Sequence, residues 1–386
     1  MNLFRPLRRG SGKRARAATY YVRATIGGIR RRASTGCTDR RAAEERARQM
    51  VERWEREAVG LATPADDAAL KPIGTHVAAF LAVLSPTVTR GHAAAVEHSL
   101  GAFLAASGVR TLNQITAEGA AAWLAGMEAE KASARTLNRH LQAVRQFVRW
   151  ALRTRRLAFD PLAPLALRNV AADRRHVRRA LTSDEAGSLL AAARARPLRK
   201  AREIGKVTEA RRAKLEALGD ARAVLYALAM GTGLRRGELQ RLRWADLALA
   251  PDRAAVTVRA DSAKSRREQV VPLRADLAEQ LVAFRPEGAA PLASVFPSAC
   301  FPTRRTFLAD LEEAGIERHD DSERVVDFHS LRVTFVSGLA RAGVHPRVAQ
   351  ALARHSRIDL TMGVYTDLTL LDTRGAVEAL PQVRPN

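Results

Sequence analysis

Apolar residues along this chain recur mainly at intervals of three and four. The plainest case is TLNRHLQAVRQFVRWAL, where Leu137, Leu141, Val144, Val148 and Ala151 fall on one helical face. Arg139, Arg145, Arg149 and Arg153 lie off that stripe. The helical pattern runs from 73 to about 165, where Pro161 and Pro164 close it. A strand-like pattern is confined to two places. YYVRATIGGIRRRAST reads as two short strands about Gly27–Gly28, the pattern of a two-residue hairpin. In RAAVTVRADSAKSRREQVVPL (253–273), Val256 and Val258 read as one alternating pair, and Val270 and Leu273 as another after a polar stretch. That segment predicts a hairpin whose loop is rich in Lys and Arg, with Lys264 near its tip or on the second strand.

Capping residues and breakers divide the chain. Asp39 offers an N-cap for a helix over 40–58. Residues 60–72, GLATPADDAALKP, read as a linker, and 166–180 as a second, basic one. Thr182 followed by Glu185 forms a capping box that opens the helix EAGSLLAAARA. Residues 194–214 hold nine basic and two acidic residues and read as an inserted charged helix. The expected fold is mainly α with small β elements. It divides into a hairpin-and-helix unit at 1–60, a helical domain at 73–165 and a mixed α+β domain at 178–386.

Composition sharpens this picture. A chain of 386 residues can bury more than one core. With 47% apolar but only 5% aromatic residues, it suits Ala- and Leu-rich helices better than a sandwich of sheets. The formal net charge of +24 calls for a polyanionic partner. Residues 1–38 alone carry ten basic residues and no acidic one. Two cysteines, Cys37 and Cys300, give neither a disulfide framework nor zinc spacing, which suits a reducing cytoplasm. No apolar run approaches the length of a membrane span, and the basic N-terminus lacks a signal-peptide core. Nucleic acid is therefore the expected partner, and a membrane is not.

Three further stretches carry candidate chemistry. In MGTGLRRGELQRLRW (230–244) an apolar helix ends at Gly231 and Gly233, and a second begins with Leu239 and Leu242 inward. Arg235 lies just past the turn, where a side chain projects toward a ligand, and Glu238 can orient a guanidinium. Alone, this is an ordinary helix–turn–helix with an i, i+3 ion pair. DFHSLRVTFVSGLARAG (327–343) places His329 and Arg332 on one helical face, with Leu331, Phe335, Val336 and Leu339 on the buried side. Were His329 protonated, the two like charges would repel unless an anion sat between them. In ARHSRIDLTMGVY a helix from Val344 to Arg354, with Pro346 early, ends at His355, and Tyr365 follows ten positions later. Of the four tyrosines, Tyr20 and Tyr21 belong to a strand and Tyr226 to an apolar helix. Tyr365 stands apart, between small and polar neighbours, and is either a surface tyrosine or the group that does the chemistry.

In chain order, Arg235, Lys264, His329, Arg332, His355 and Tyr365 resemble the signature set of the tyrosine recombinases, the phage-integrase family. The matching text is TGLRRGEL, AKSRREQVVPL, FHSLRVTF and ARHSRIDLTMGVY. The resemblance covers roughly 178–386 as the catalytic domain. It extends more loosely to 73–165 as the SAM-like core-DNA-binding domain, and likens 1–60 to an arm-type DNA-binding domain. It implies a site-specific recombinase or integrase acting on double-stranded DNA through a 3′-phosphotyrosyl link on Tyr365, without metal, cofactor or ATP. A phenol, with a pKa of about 10, leaves more readily than an alkoxide, so such a link can be resealed. Arg235 and Arg332 would clamp the non-bridging oxygens, for which the planar guanidinium fork is suited. Lys264 would protonate the 5′-oxygen, and His329 and His355 would position phosphate or handle the tyrosine proton. A homotetramer on two duplexes, DNA-bending accessory proteins and a cytoplasmic, nucleoid-associated location go with the resemblance. It leaves open a type IB topoisomerase and a non-catalytic DNA-binding protein on the same fold. The sequence departs from the family pattern at Ala353-Arg354, where Leu-Gly is common, and at Val333, where His is common. The His355–Tyr365 interval is also one residue longer than in many relatives.

Overall fold

The computed structural model describes residues 1–6, 17–60, 65, 68, 71–262, 267–365 and 373–378. It divides into two compact units, Met1–Arg175 and His176–Asn386. The boundary falls inside the basic stretch read as a linker. Helices dominate both units, and each also carries a three-stranded antiparallel sheet. Among the described residues no helix is long and apolar enough to cross a membrane.

In the first unit, β2 (Tyr21–Ile26) and β3 (Ile29–Ser34) pair antiparallel across Gly27 and Gly28. Both glycines have positive φ, 53° and 81°, as the two-residue turn requires. β1 (Asn2–Phe4), which the sequence pattern did not announce, adds to the other edge of β2. Val22 and Ala24 of β2 are buried, as are Ala43 and Ala47 of α1 (Arg40–Ala58), the helix that Asp39 caps. The opposite sheet face is basic and aromatic. The Arg32 guanidinium lies over both Phe4 and Tyr21, 5.2 Å from each ring, and Arg23 lies 5.6 Å from Phe4. Arg31 points the other way and pairs with Glu57 of α1.

A separate core gathers α2 (Ile73–Leu84), α3 (Arg90–Ser107), α4 (Ala117–Ala129) and α5 (Ala134–Arg153) around Phe80, Phe103, Phe147 and Trp150. The predicted stripe of α5 is buried throughout, and Asn138, His140 and Phe147 widen it. Arg139, Arg149 and Arg153 are exposed as expected. Arg145 is not a free surface cation: it is half-buried and donates to the carbonyls of Leu162 (3.3 Å) and Leu165. It thereby holds the proline-bearing segment after α5 against that helix.

In the second unit, the capping box of Thr182 and Glu185 forms and opens α6 (Ser183–Ile204). This helix runs through Pro197 well beyond the predicted EAGSLLAAARA, and α7 (Glu209–Thr232) returns beside it. Residues 194–214 are therefore no separate inserted helix. They are the far end of a helical hairpin. The two helices meet at Gly219, where an added Cβ would lie 2.0 Å from the Arg194 carbonyl oxygen. Fully buried Asp310 accepts from the Tyr226 hydroxyl (2.7 Å) and Arg196 Nε (2.5 Å), and Arg222 lies 3.6 Å away. Tyr226 is a core residue, as its apolar setting predicted.

The short helix α8 (Arg236–Leu239) follows, with Leu239 and Leu242 buried. Next come β4 (Leu247–Ala248), β5 (Ala255–Val258) and β6 (Gln269–Pro272). The predicted hairpin is present, but its inward face differs. Val271 pairs with Val256 and is buried, whereas Val270 pairs with Thr257 and is 62% exposed. Alternation from Leu273 selects Val271, since side chains two apart share a face. The unit continues with α9 (Ala275–Phe284), α10 (Arg304–Glu313), α11 (Ser330–Arg341), α12 (Pro346–Ala353), α13 (Asp359–Tyr365) and α14 (Thr373–Glu378).

Candidate active site

The site begins where α7 ends. Gly233 turns the chain with φ +61°, and an added Cβ would lie 2.5 Å from Cδ1 of Phe335 on α11. Backbone conformation and packing therefore both require glycine here. The Gly233 carbonyl accepts from Arg332 and, at 3.3 Å, from Arg354. Two residues on, Arg235 caps α8. Its backbone N–H donates to Glu238 Oε2 (2.8 Å) and its Nη1 to Oε1 (3.0 Å). Glu238 is buried and holds Arg235 in one orientation, the role its spacing suggested.

Arg332 lies in the first turn of α11 and is 4% exposed. It donates to the carbonyls of Gly233 and Ala353, fastening α11 to the ends of α7 and α12. Burial, and then the nearby cations of Arg235 and Arg354, push its guanidinium down to about 9, which leaves it charged at neutral pH. His329 starts α11. The Asp327 carboxylate accepts from the backbone N–H of His329 (2.9 Å) and Ser330 (3.2 Å) and pairs with Arg178 at 2.8 Å. The His329 ring opens to solvent at the rim of a recess of about 700 Å³ that it shares with Arg236, Arg304 and Phe328. Lost hydration in that recess, then Arg178 and Arg332, hold its imidazole below the usual value against the pull of Asp327.

His355 follows α12. Its Nδ1 lies 2.9 Å from the Thr361 hydroxyl, and Thr361 is fully buried on α13, the helix whose last residue is Tyr365. Burial, then Arg332, Arg235 and Arg354, push His355 down to about 4, so it is uncharged at neutral pH.

The fold thus brings Arg235, the His329 and Arg332 pair at the start of α11, and His355 from three segments to one place. Lys264 falls among residues 263–266, outside the described residues. Thr361, the Gly233 carbonyl and Arg354 also belong to the site. Of these, only Arg354 had a mark in the sequence, as a departure from the family pattern. Three guanidinium groups, Arg235, Arg332 and Arg354, face one carboxylate, Glu238, leaving a net charge of +2. Such a cluster suits a bound anion.

Comparison with known proteins bears on the family and the fold. The phage integrase family model matches residues 180–370, and the family's N-terminal SAM-like domain matches residues 84–155. Tyrosine recombinase XerC of Rhodospirillum centenum is 29% identical over 247 residues, 64% of this chain and 66% of that protein. The chain spans about half to two thirds of the length of the curated relatives it matches. The fold is similar to that of lambda integrase (75–356), solved as a dimer bound to a COC′ core site. The TM-score is 0.57 at 18% identity, covering 82% of this chain and 100% of that one. It is also similar to the lambda integrase tetramer solved on a Holliday junction, with TM-score 0.54, 18% identity and 95% of each chain covered. The two family models together span about two thirds of the sequence, and with the arginine and histidine cluster they place the chain in the phage integrase family of tyrosine recombinases.

Proposed function

We propose that this chain is a site-specific DNA recombinase that cleaves and rejoins strands through a covalent 3′-phosphotyrosyl intermediate on Tyr365. The observation that carries the reading is the cation cluster: Arg235 and Arg332 held rigidly together, with His355 tied to the helix that ends in Tyr365. In the reaction the Tyr365 phenolic oxygen attacks the scissile phosphorus and the P–O5′ bond breaks. Arg235 and Arg332 donate to the non-bridging oxygens as charge accumulates there. A donor of this kind contributes about 2.7–4 kcal/mol to transition-state stabilisation. Lys264 gives a proton to the departing 5′-oxygen. His355, uncharged with Nδ1 engaged by Thr361, is available to take the phenol proton. His329 lines the phosphate from the rim. Attack of the free 5′-hydroxyl on the phosphotyrosine reverses each transfer, so neither ATP nor a cofactor is consumed.

The remaining domains supply DNA binding. Arg139 and Arg149 on α5, with His92 of α3, line one groove that suits phosphate contact in a core site at 73–165. The basic, aromatic sheet face of residues 1–60 suits a separate arm site. Assembly as a homotetramer on two duplexes, assistance from DNA-bending proteins and a cytoplasmic, nucleoid-associated location belong to the same proposal.

Covalent trapping tests it. Nicked suicide duplexes tiled from DNA flanking the gene are mixed with the protein, and an adduct that survives denaturing electrophoresis is sought. Wild type should form one and Tyr365→Phe should not. An adduct that persists in the variant assigns the nucleophile elsewhere. Tight binding without an adduct favours the non-catalytic reading, and relaxation of plasmid DNA of unrelated sequence favours the topoisomerase.

A further inference from the structure

The reaction above makes no use of Arg354, yet its side chain is only 1% exposed and turned into the site. Its backbone has φ 55°, the left-handed region that residues with a Cβ adopt at a cost. A long charged side chain is therefore kept here against both strain and desolvation. Its Nη2 donates to Glu238 Oε2 at 2.8 Å and to the Gly233 carbonyl at 3.3 Å. Both acceptors are shared. Glu238 also holds Arg235, and the Gly233 carbonyl also receives Arg332. The Arg354 Nε and Nη1 are buried without an acceptor. The contacts of this guanidinium thus join the two arms of the phosphate clamp.

We propose that Arg354 is a positioning residue: through Glu238 and the Gly233 carbonyl it fixes Arg235 and Arg332 relative to each other, and its charge offsets that of Glu238. The inference rests on the reading of Arg235 and Arg332 as the clamp. Its physical basis is the charge count. Phenolate attack on a phosphodiester gathers two negative charges around phosphorus. Arg235 and Arg332 with Glu238 leave a single net positive charge, and Arg354 restores the second. Its side chain is only 1% exposed and its bonded donor is taken up by Glu238 and the Gly233 carbonyl, so it acts through them and not on DNA.

The test measures single-turnover adduct formation at saturating protein for wild type, Arg354→Gly, Arg354→Lys, Glu238→Gln and the double variant Arg354→Gly/Glu238→Gln. Glycine suits the left-handed backbone, so the first variant removes the side chain while relieving strain. Arg354→Gly is expected to lower the saturated rate by about 10²-fold, the scale for a misplaced catalytic group. Duplex affinity, read in the Tyr365→Phe background, should stay within about threefold, and the double variant should lose little beyond Glu238→Gln alone. Arg354→Lys keeps charge but not the shared fork. It is expected to recover part of the rate, and it carries the test if the glycine variant melts early. Three outcomes overturn the proposal: an Arg354→Gly rate near wild type, rate losses that multiply in the double variant, or duplex affinity that falls with the rate. If wild type itself forms no adduct, the recombinase reading fails, and this proposal with it. A wild-type adduct with an unaffected Arg354→Gly removes this proposal alone.

Discussion

Replacing Gly233 with alanine should damage both stability and cleavage, by amounts the structure lets one separate. At φ +61° an alanine pays the left-handed conformational cost, about 1–2 kcal/mol. Its Cβ would also lie 2.5 Å from Cδ1 and 3.2 Å from Cγ of Phe335. Overpacking of that kind typically costs about 1–3 kcal/mol. Gly315 provides the control, because it has φ +67° but no atom within 4 Å of the place an added Cβ would take. Gly315→Ala should therefore carry the backbone cost alone. The two variants should differ by about 1–3 kcal/mol, or roughly 2–12 °C in midpoint for a unit of this size. Cleavage should separate them further. Moving the Gly233 carbonyl moves the group that receives Arg332, and a shift near 1 Å can cost about 10²-fold in rate. Gly315→Ala should cleave like wild type. Calorimetry of the full chain and single-turnover adduct formation provide the readouts, and Phe335→Leu added to Gly233→Ala should recover part of both losses. The reasoning is refuted if the two alanine variants melt together, or if Gly233→Ala cleaves at the wild-type rate.

Stability should fall as pH drops from about 6.5 toward 4, because unfolded His355 takes up its proton before the folded group, held near 4, does. The effect reaches roughly 3 kcal/mol at most, and a denaturation series should show the slope flatten in His355→Gln. Arg235→Ala should lose about 10²–10³-fold on natural DNA. The loss should be smaller on a methylphosphonate that lacks one non-bridging charge, and equal losses on both would remove Arg235 from the clamp. Adduct formation should persist at full rate in EDTA, since arginine donors supply the electrostatic stabilisation, and its abolition by chelation would count against the scheme. Arg32→Ala should lower the salt slope of arm-duplex binding by about 1, the value of one phosphate contact, and an unchanged slope would detach the sheet face from DNA.

What could be read from the sequence was whatever local patterning decides. The hairpin at Gly27–Gly28, the Asp39 cap, the Thr182–Glu185 box and the stripe from Leu137 to Ala151 all depend on neighbours a few residues apart, and each formed. β1 escaped because three residues hold too little pattern, and its pairing is set by contact with β2 far along the chain. Val270 was misassigned because the two faces of a short strand differ by one position, and the partner strand chooses between them. Arg145 was legible only as a charge off the apolar stripe, yet a pair of carbonyls beyond the helix claims it. Within the site, side chains flanked by glycine turns or helix starts were visible by motif. The Gly233 carbonyl was not, because a backbone acceptor has no letter in the sequence. Thr361 was equally silent, since a threonine on a short helix gains meaning only when His355 meets it.

The hairpin of α6 and α7 behaves like a beam clamped at one end. Gly219 seats one helix on the other beside Arg194, Asp310 gathers Arg196, Arg222 and Tyr226, and Arg199 still reaches Glu313. Past that point support ends: residues 202–214 are exposed apart from half-buried Val207, and Ile204 is 78% bare to water. Material added to or removed from the free end hangs beyond the clamp and transmits no load to the residues that position Arg235 and Arg332. The turn between Ile204 and Glu209 is therefore a port. Through it this unit can accept a fluorescent label, a tether or a fused reader domain, or lose a few turns, with its chemistry left in register.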